Sequence, residues 1–104
     1  MAKKFRVIVS QKAEKMLIEH MRFLANVSAP ASKRFLASFK EAKQTLSVFP
    51  MSGPYDDELS LPPDTYRKCL FYDRYKILYE IEENTVFVDA IIDCRQDTEY
   101  FDFL

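Results

Sequence analysis

Residues 66–97, YRKCLFYDRYKILYEIEENTVFVDAIIDCRQD, decide the fold. Three short runs rich in β-branched and aromatic residues are separated by two polar clusters, the pattern of consecutive strands joined by tight turns. Side chains alternate across a strand. Tyr75, Ile77, Tyr79 and Ile81 therefore share one face of the middle run, and Lys76, Leu78 and Glu80 the other. In the last run Val86, Val88, Ala90 and Ile92 are expected to form the inward row. Turns are expected at Asp73 and Arg74 and at Glu82, Glu83 and Asn84, although the first lacks the glycine that a two-residue hairpin turn prefers. Cations recur along the stretch: Arg67 and Lys68 open it, Arg74 and Lys76 flank the first turn, and Arg95 closes it. In a half of the chain otherwise crowded with acids, that placement suggests a surface built to meet an anion.

Upstream the period changes. Residues 3–9 are short and β-branched, the mark of a strand. Ser10 can then cap a helix by accepting a bond from a free first-turn amide. Ala13, Met16, Leu17, His20, Met21 and Leu24 recur at spacings of three and four, an apolar helical stripe that leaves Lys12, Glu14, Lys15, Glu19 and Arg22 mostly outside it. Ser28 with Pro30 breaks and restarts the helix, since proline fits a first turn. The second helix is expected to carry Phe35, Phe39, Ala42, Leu46 and Phe49 on one face, with Pro50 stopping it. So short a link makes the two a helical hairpin. Residues 51–65, MSGPYDDELSLPPDT, hold three prolines, four acids and the sole glycine, and are expected to be a long loop. The fold class is thus α+β: an N-terminal strand, a helical hairpin, then an antiparallel three-stranded meander, with the hairpin packed on one sheet face and the other partly open.

A chain of 104 residues has the size of one domain, and nearly half of it is apolar. No apolar run approaches the ~20 residues that span a bilayer, and the N-terminal apolar stretch is too short for a signal peptide, so a cytoplasmic protein without a membrane partner is expected. Cys69 and Cys94 are far apart and there is a single histidine, His20; no zinc site and no cofactor are expected, and both cysteines should be reduced thiols. Residues 1–50 carry ten Lys or Arg against three acids, a balance of +7, and residues 51–104 carry five against thirteen, a balance of −8. These halves are expected to neutralise each other across the fold.

The chain resembles the RelE/ParE superfamily of bacterial toxins, the toxic halves of type II toxin–antitoxin modules, over nearly its whole length. The resemblance rests on the order of elements and on local patterns taken together. LSVFPMSG, residues 46–53, looks like the family's helix end followed by Pro and Gly, and Tyr66 with Arg67 opens the second strand. RYKILYEI, residues 74–81, is similar to the family's hairpin, and IIDCRQD, residues 91–97, is an apolar strand ending in a basic residue. The resemblance implies a cognate antitoxin that wraps the helices and the open sheet face. It also implies one of two mechanisms: RelE-like members cut messenger RNA in the ribosome, and ParE-like members poison DNA gyrase without catalytic groups. The reading taken from the sequence is the first, a ribosome-dependent mRNA endoribonuclease that inhibits translation; gyrase inhibition and a degenerate module that binds only its antitoxin are the alternatives.

Metal-free RNA cleavage would need cations on the scissile phosphate, and a lysine or tyrosine can act as acid or base where histidine is absent. The resemblance assigns the phosphate to Lys76 and Arg95, a further charge to Arg67 or Lys68, with Lys68 also a conceivable base, base stacking to Tyr100 or Phe101, and proton donation to Tyr100. Against each stands a structural role. Glu80, Asp89 and Asp93 lie close enough in sequence to pair with the strand cations, His20 falls on the apolar stripe, and Tyr66, Tyr72, Tyr75 and Tyr79 suit sheet packing. The acidic, aromatic residues 97–104 and a pI near 5.8 would not welcome RNA, whose binding rests on neutralised phosphates. Such a tail suits packing on the sheet or engagement of a partner protein.

Overall fold

A computed structural model describes residues 4–58 and 61–95. Along them run β1 (Arg6–Val9), α1 (Gln11–Val27), α2 (Ala29–Val48), a 3₁₀ turn (Pro50–Ser52), β2 (Arg67–Phe71), β3 (Tyr75–Glu82) and β4 (Thr85–Asp93). Ser10 caps α1 as its type and position require, accepting from the Ala13 amide at 3.0 Å. Ser28 does two jobs. Its amide donates to the Leu24 carbonyl to close α1, and its hydroxyl accepts from Ala31 to open α2, with Pro30 in the first turn. Phe49 falls outside the expected stripe: it sits beyond the last turn and is 63% exposed, because Pro50 ends the helix before that position can face the sheet.

The sheet has the order β1-β4-β3-β2 and is mixed rather than wholly antiparallel. The meander supplies two antiparallel ladders, and β1 joins β4 in parallel. A parallel neighbour needs a long crossover, which the helical hairpin provides. Both helices cover one face, where Ala13, Leu17, Phe35, Phe39 and Leu46 meet Phe71, Tyr75, Ile77 and Tyr79.

The inward row of β4 differs from the expected one. Leu78 pairs with Ala90 and Tyr79 with Val88, so Asp89 is an extra residue on the β4 side. Two residues against one is a β-bulge, and it reverses the alternation beyond it. Val86, Val88 and Ile91 face the helices, whereas Ala90 and Ile92 join Leu78 on the opposite face under Leu61. That second face is partly roofed by the loop before β2. Pro54 and Asp56 bond to the backbone of Lys68 and Tyr66, and Tyr55 bridges to Arg67. Gly53 makes this close approach possible, because a Cβ there would collide with the Lys68 carbonyl and the Tyr79 hydroxyl. Tyr79 in turn donates to the Pro50 carbonyl at 2.7 Å, which ties the helix end to the sheet.

Candidate functional site

The strand cations are distributed over both sheet faces. Lys76 shares the loop-covered face with Leu78, yet it is only 4% exposed. Its Nζ donates to Asp56 Oδ2 at 2.5 Å, and Asp56 is equally buried. The carboxylate that takes it is thus in the long loop, not among the strand acids Glu80, Asp89 and Asp93. Two opposite charges removed from water together offset much of each other's desolvation, and neither is presented to solvent. Lys68, half-buried, pairs with Leu78 in the ladder and so lies on the same face.

Arg67 pairs with Tyr79 and belongs to the opposite row. Its guanidinium donates to the Gly53 carbonyl at 2.7 Å and stacks on the Tyr55 ring with its carbon 4.4 Å from the centroid. Arg95 lies two residues past the end of β4. It grips Asp93 through Nε at 3.2 Å and a terminal nitrogen at 3.0 Å, while its backbone amide adds a third bond to the same carboxylate. Burial pushes the Asp93 carboxyl up, but the side-chain and backbone bonds and the charge of Arg95 outweigh it and hold the group below the usual carboxylate range. Asp93 shares a rung with Tyr75 and Phe71, four residues along β2 from Arg67. At ~3.3 Å per residue the Arg67 and Asp93 rungs are about 13 Å apart along the strands, and Arg95 follows two residues after Asp93. Tyr100, Phe101 and the acidic residues 97–104 lie outside the described residues.

His20 is a packed residue. Its Nε2 donates to the Ile91 carbonyl at 2.8 Å, and its ring meets Tyr75 edge-on at 5.0 Å. Of the tyrosines, Tyr75 and Tyr79 are buried in the core beneath the helices. Cys69 and Cys94 are free thiols. Among the described residues no helix is long and apolar enough to cross a membrane, and no group of His, Cys, Asp or Glu is arranged to hold a metal ion.

Two groupings were not legible in the sequence. On the loop-covered face Asp89, thrown out by the bulge, meets Glu80. Desolvation first, then the hydrogen bond and charge of Glu80, push the Asp89 carboxyl up to about 8. The same two acids, after burial, raise the Tyr66 phenol. Bulges leave no mark in a sequence pattern, and without one Asp89 is merely an outward-facing strand residue. At the hairpin end, a cleft of about 560 Å³ is lined by Arg34 of α2, Arg74 of the β2–β3 turn and Arg95, together with Phe23 and Val27 of α1. Arg34 stands on the solvent side of its helix and carries no pattern that separates it from any surface arginine.

The ParE toxin of type II toxin-antitoxin system, parDE, is the family whose pattern this chain matches, over residues 7–98. Among solved structures the fold is similar to the chromosomal ParDE TA system from P. aeruginosa, with a TM-score of 0.71 at 11% identity, covering 88% of this chain and 97% of that one. No curated protein is significantly similar in sequence.

Proposed function

This chain belongs to the ParE toxin family, the toxin side of a type II toxin–antitoxin system with a cognate antitoxin as partner, and from that premise we propose that it acts by binding DNA gyrase rather than by cutting RNA. One observation carries the choice: Lys76, Arg67 and Arg95, cations that the resemblance assigns to RNA cleavage, are each bound to an internal partner. Lys76 is buried on Asp56, Arg67 is bound to the Gly53 carbonyl on the other row, and Arg95 is held by Asp93, whose rung lies about 13 Å from that of Arg67. Transition-state stabilisation of a phosphorane requires cations aimed at one point, preorganised before the reaction. Cations already bound to internal partners, with Lys76 on the opposite face from Arg67 and Asp93, do not meet that demand. Inhibition by binding makes no such demand, since it needs only a stable, complementary surface. A formal net charge of −1 also disfavours a nucleic-acid target, whose affinity grows with each neutralised phosphate.

The test is to map RNA ends after induced expression of wild type and of Arg95→Ala. The expected result is a set of RNA ends unchanged from uninduced cells in both. Ribosome-dependent cuts that appear with wild type and vanish in Arg95→Ala would establish the nuclease instead.

A further inference from the structure

The lining of the hairpin-end cleft draws arginines from three parts of the chain: Arg34 from α2, Arg74 from the β2–β3 turn and Arg95 from beyond β4. Asp73 is the carboxylate among them, so the lining is positive on balance. Among the described residues Arg95 holds Asp93, whereas Arg34 and Arg74, both exposed, make no ion pair. The backbone ties the turn to the end of β4. The Arg74 carbonyl accepts from the Cys94 amide at 2.7 Å, one residue before Arg95. Tyr72 and Asp73 shape that turn with left-handed backbones, at φ 46° and 66°, and the Tyr72 ring packs edge-on against Phe35 with centroids 5.7 Å apart. Phe23 and Val27 add apolar lining and are 53% and 71% exposed.

Arg95 is also the last of the described residues, so the chain continues directly from this lining. Residues 96–104, QDTEYFDFL, lie outside the described residues. They hold three acids, Asp97, Glu99 and Asp102, three aromatics, Tyr100, Phe101 and Phe103, and no Lys or Arg. Their composition is the complement of the lining: acids for its arginines, apolar rings for Phe23 and Val27. We propose that residues 96–104 of this same chain occupy the cleft, with carboxylates on Arg34 and Arg74 and an aromatic side chain against Phe23 and Val27. The arginine fork holds a carboxylate through two parallel hydrogen bonds, which also fix its orientation. Reach is no obstacle, since two peptide units place the Asp97 Cα within about 8 Å of that of Arg95. A nucleic acid could also use this lining, with a phosphate on the arginines and a base stacked on Phe23. The tether favours the segment, because so short a link gives an effective concentration of about millimolar. Any other ligand of these arginines must first displace it. The inference goes beyond the gyrase reading and does not depend on it.

Chymotrypsin cuts after aromatic residues, so its rate after Tyr100 and Phe101 in the folded, full chain reads whether the segment is held. Each rate, followed by mass spectrometry, is divided by that of a free peptide carrying the same residues 96–104. Wild type is expected to be cut about 10-fold more slowly than its peptide, as a few partly exposed ion pairs allow. Arg34→Glu/Arg74→Glu should abolish that protection, and so should Asp97→Lys/Glu99→Lys/Asp102→Lys. The two sets combined place opposite charges across the contact again and should recover about threefold protection. Lys40→Glu/Lys43→Glu makes the same change of net charge on another groove and should stay within about twofold of wild type. If Arg34→Glu/Arg74→Glu does not fold by circular dichroism, Arg34→Gln/Arg74→Gln replaces it, with about threefold of the protection lost. Wild type cut as fast as its peptide overturns the proposal. So does protection that survives the arginine changes, that the combined set does not recover, or that Lys40→Glu/Lys43→Glu removes equally. Arginine-dependent binding of a labelled single-stranded RNA or of purified antitoxin, with cutting rates the same in the arginine variants, would assign the cleft to that ligand and overturn it as well.

Discussion

The two faces of the sheet are covered by different physics. On the helix side Phe35, Phe39, Leu46, Ile77, Tyr79 and Val88 close the core, and the buried polar groups His20 and Asp93 there have partners of their own. On the loop side a few apolar residues, Leu61, Leu78, Ala90 and Ile92, are interleaved with the Lys76–Asp56 pair and the Glu80–Asp89 carboxyls. The first face is held by non-directional burial of apolar area, which tolerates local change. The second depends on a few directional polar contacts, each of which must be complete. A cation on a strand is thus no sign of an exposed cation: Lys76 serves the roof over its face.

The sharpest way to break this comparison is to remove Asp56. Asp56→Ala takes the carboxylate from a buried ammonium and should cost about 3–5 kcal/mol in urea denaturation. The combined Asp56→Leu/Lys76→Met replacement, apolar on both sides, should fall within about 1 kcal/mol of wild type. A single variant as stable as wild type would mean that the loop face does not depend on its ion pair.

A smaller effect tests the carboxyl pair. Asp89 keeps its proton up to about pH 8 in the folded chain and releases it near its ordinary value of 3.8 when unfolded. Between those values the folded state binds more protons, so the contribution falls as pH rises through that window. Asp93 acts in the opposite sense: its depressed pKa gives stability above the ordinary carboxylate range that is lost as pH falls through it. Asp89→Asn should therefore flatten the decline and be more stable than wild type at pH 9, measured by denaturant midpoints across pH. An unchanged pH profile would remove the carboxyl pair from the account.

These faces were unequally legible in the sequence. Period-two and helical stripes identified the strands and both helices, Ser10, Ser28 and Pro50 marked their ends, and the helix-side residues of β3 followed from alternation. Alternation failed at Asp89, because a bulge adds a residue without altering composition. The parallel pairing of β1 with β4 was equally silent, since strand pairing is settled by the crossover and not by either strand. Lys76 and Asp56 are twenty residues apart, and Arg34 and Arg74 forty, so their juxtaposition is a product of packing alone. The candidate residues were nameable one by one; their relation in space was not.

The smallest expected effect lies at the β3–β4 turn, which belongs to neither face. Glu83 occupies the left-handed region at φ 54°, where a side chain costs about 1 kcal/mol that glycine avoids. Glu83→Gly should raise stability by about that amount in thermal denaturation, without altering the pH profile. A loss of stability would show that the turn, too, leans on its side chain.

The central claim is that this toxin inhibits by binding and not by catalysis, and one measurement tests it most directly. Purified toxin is titrated against DNA gyrase acting on relaxed plasmid, with supercoiling read on gels. The account predicts a dose-dependent loss of negative supercoiling that added antitoxin reverses. Full gyrase activity at saturating, folded toxin would contradict it.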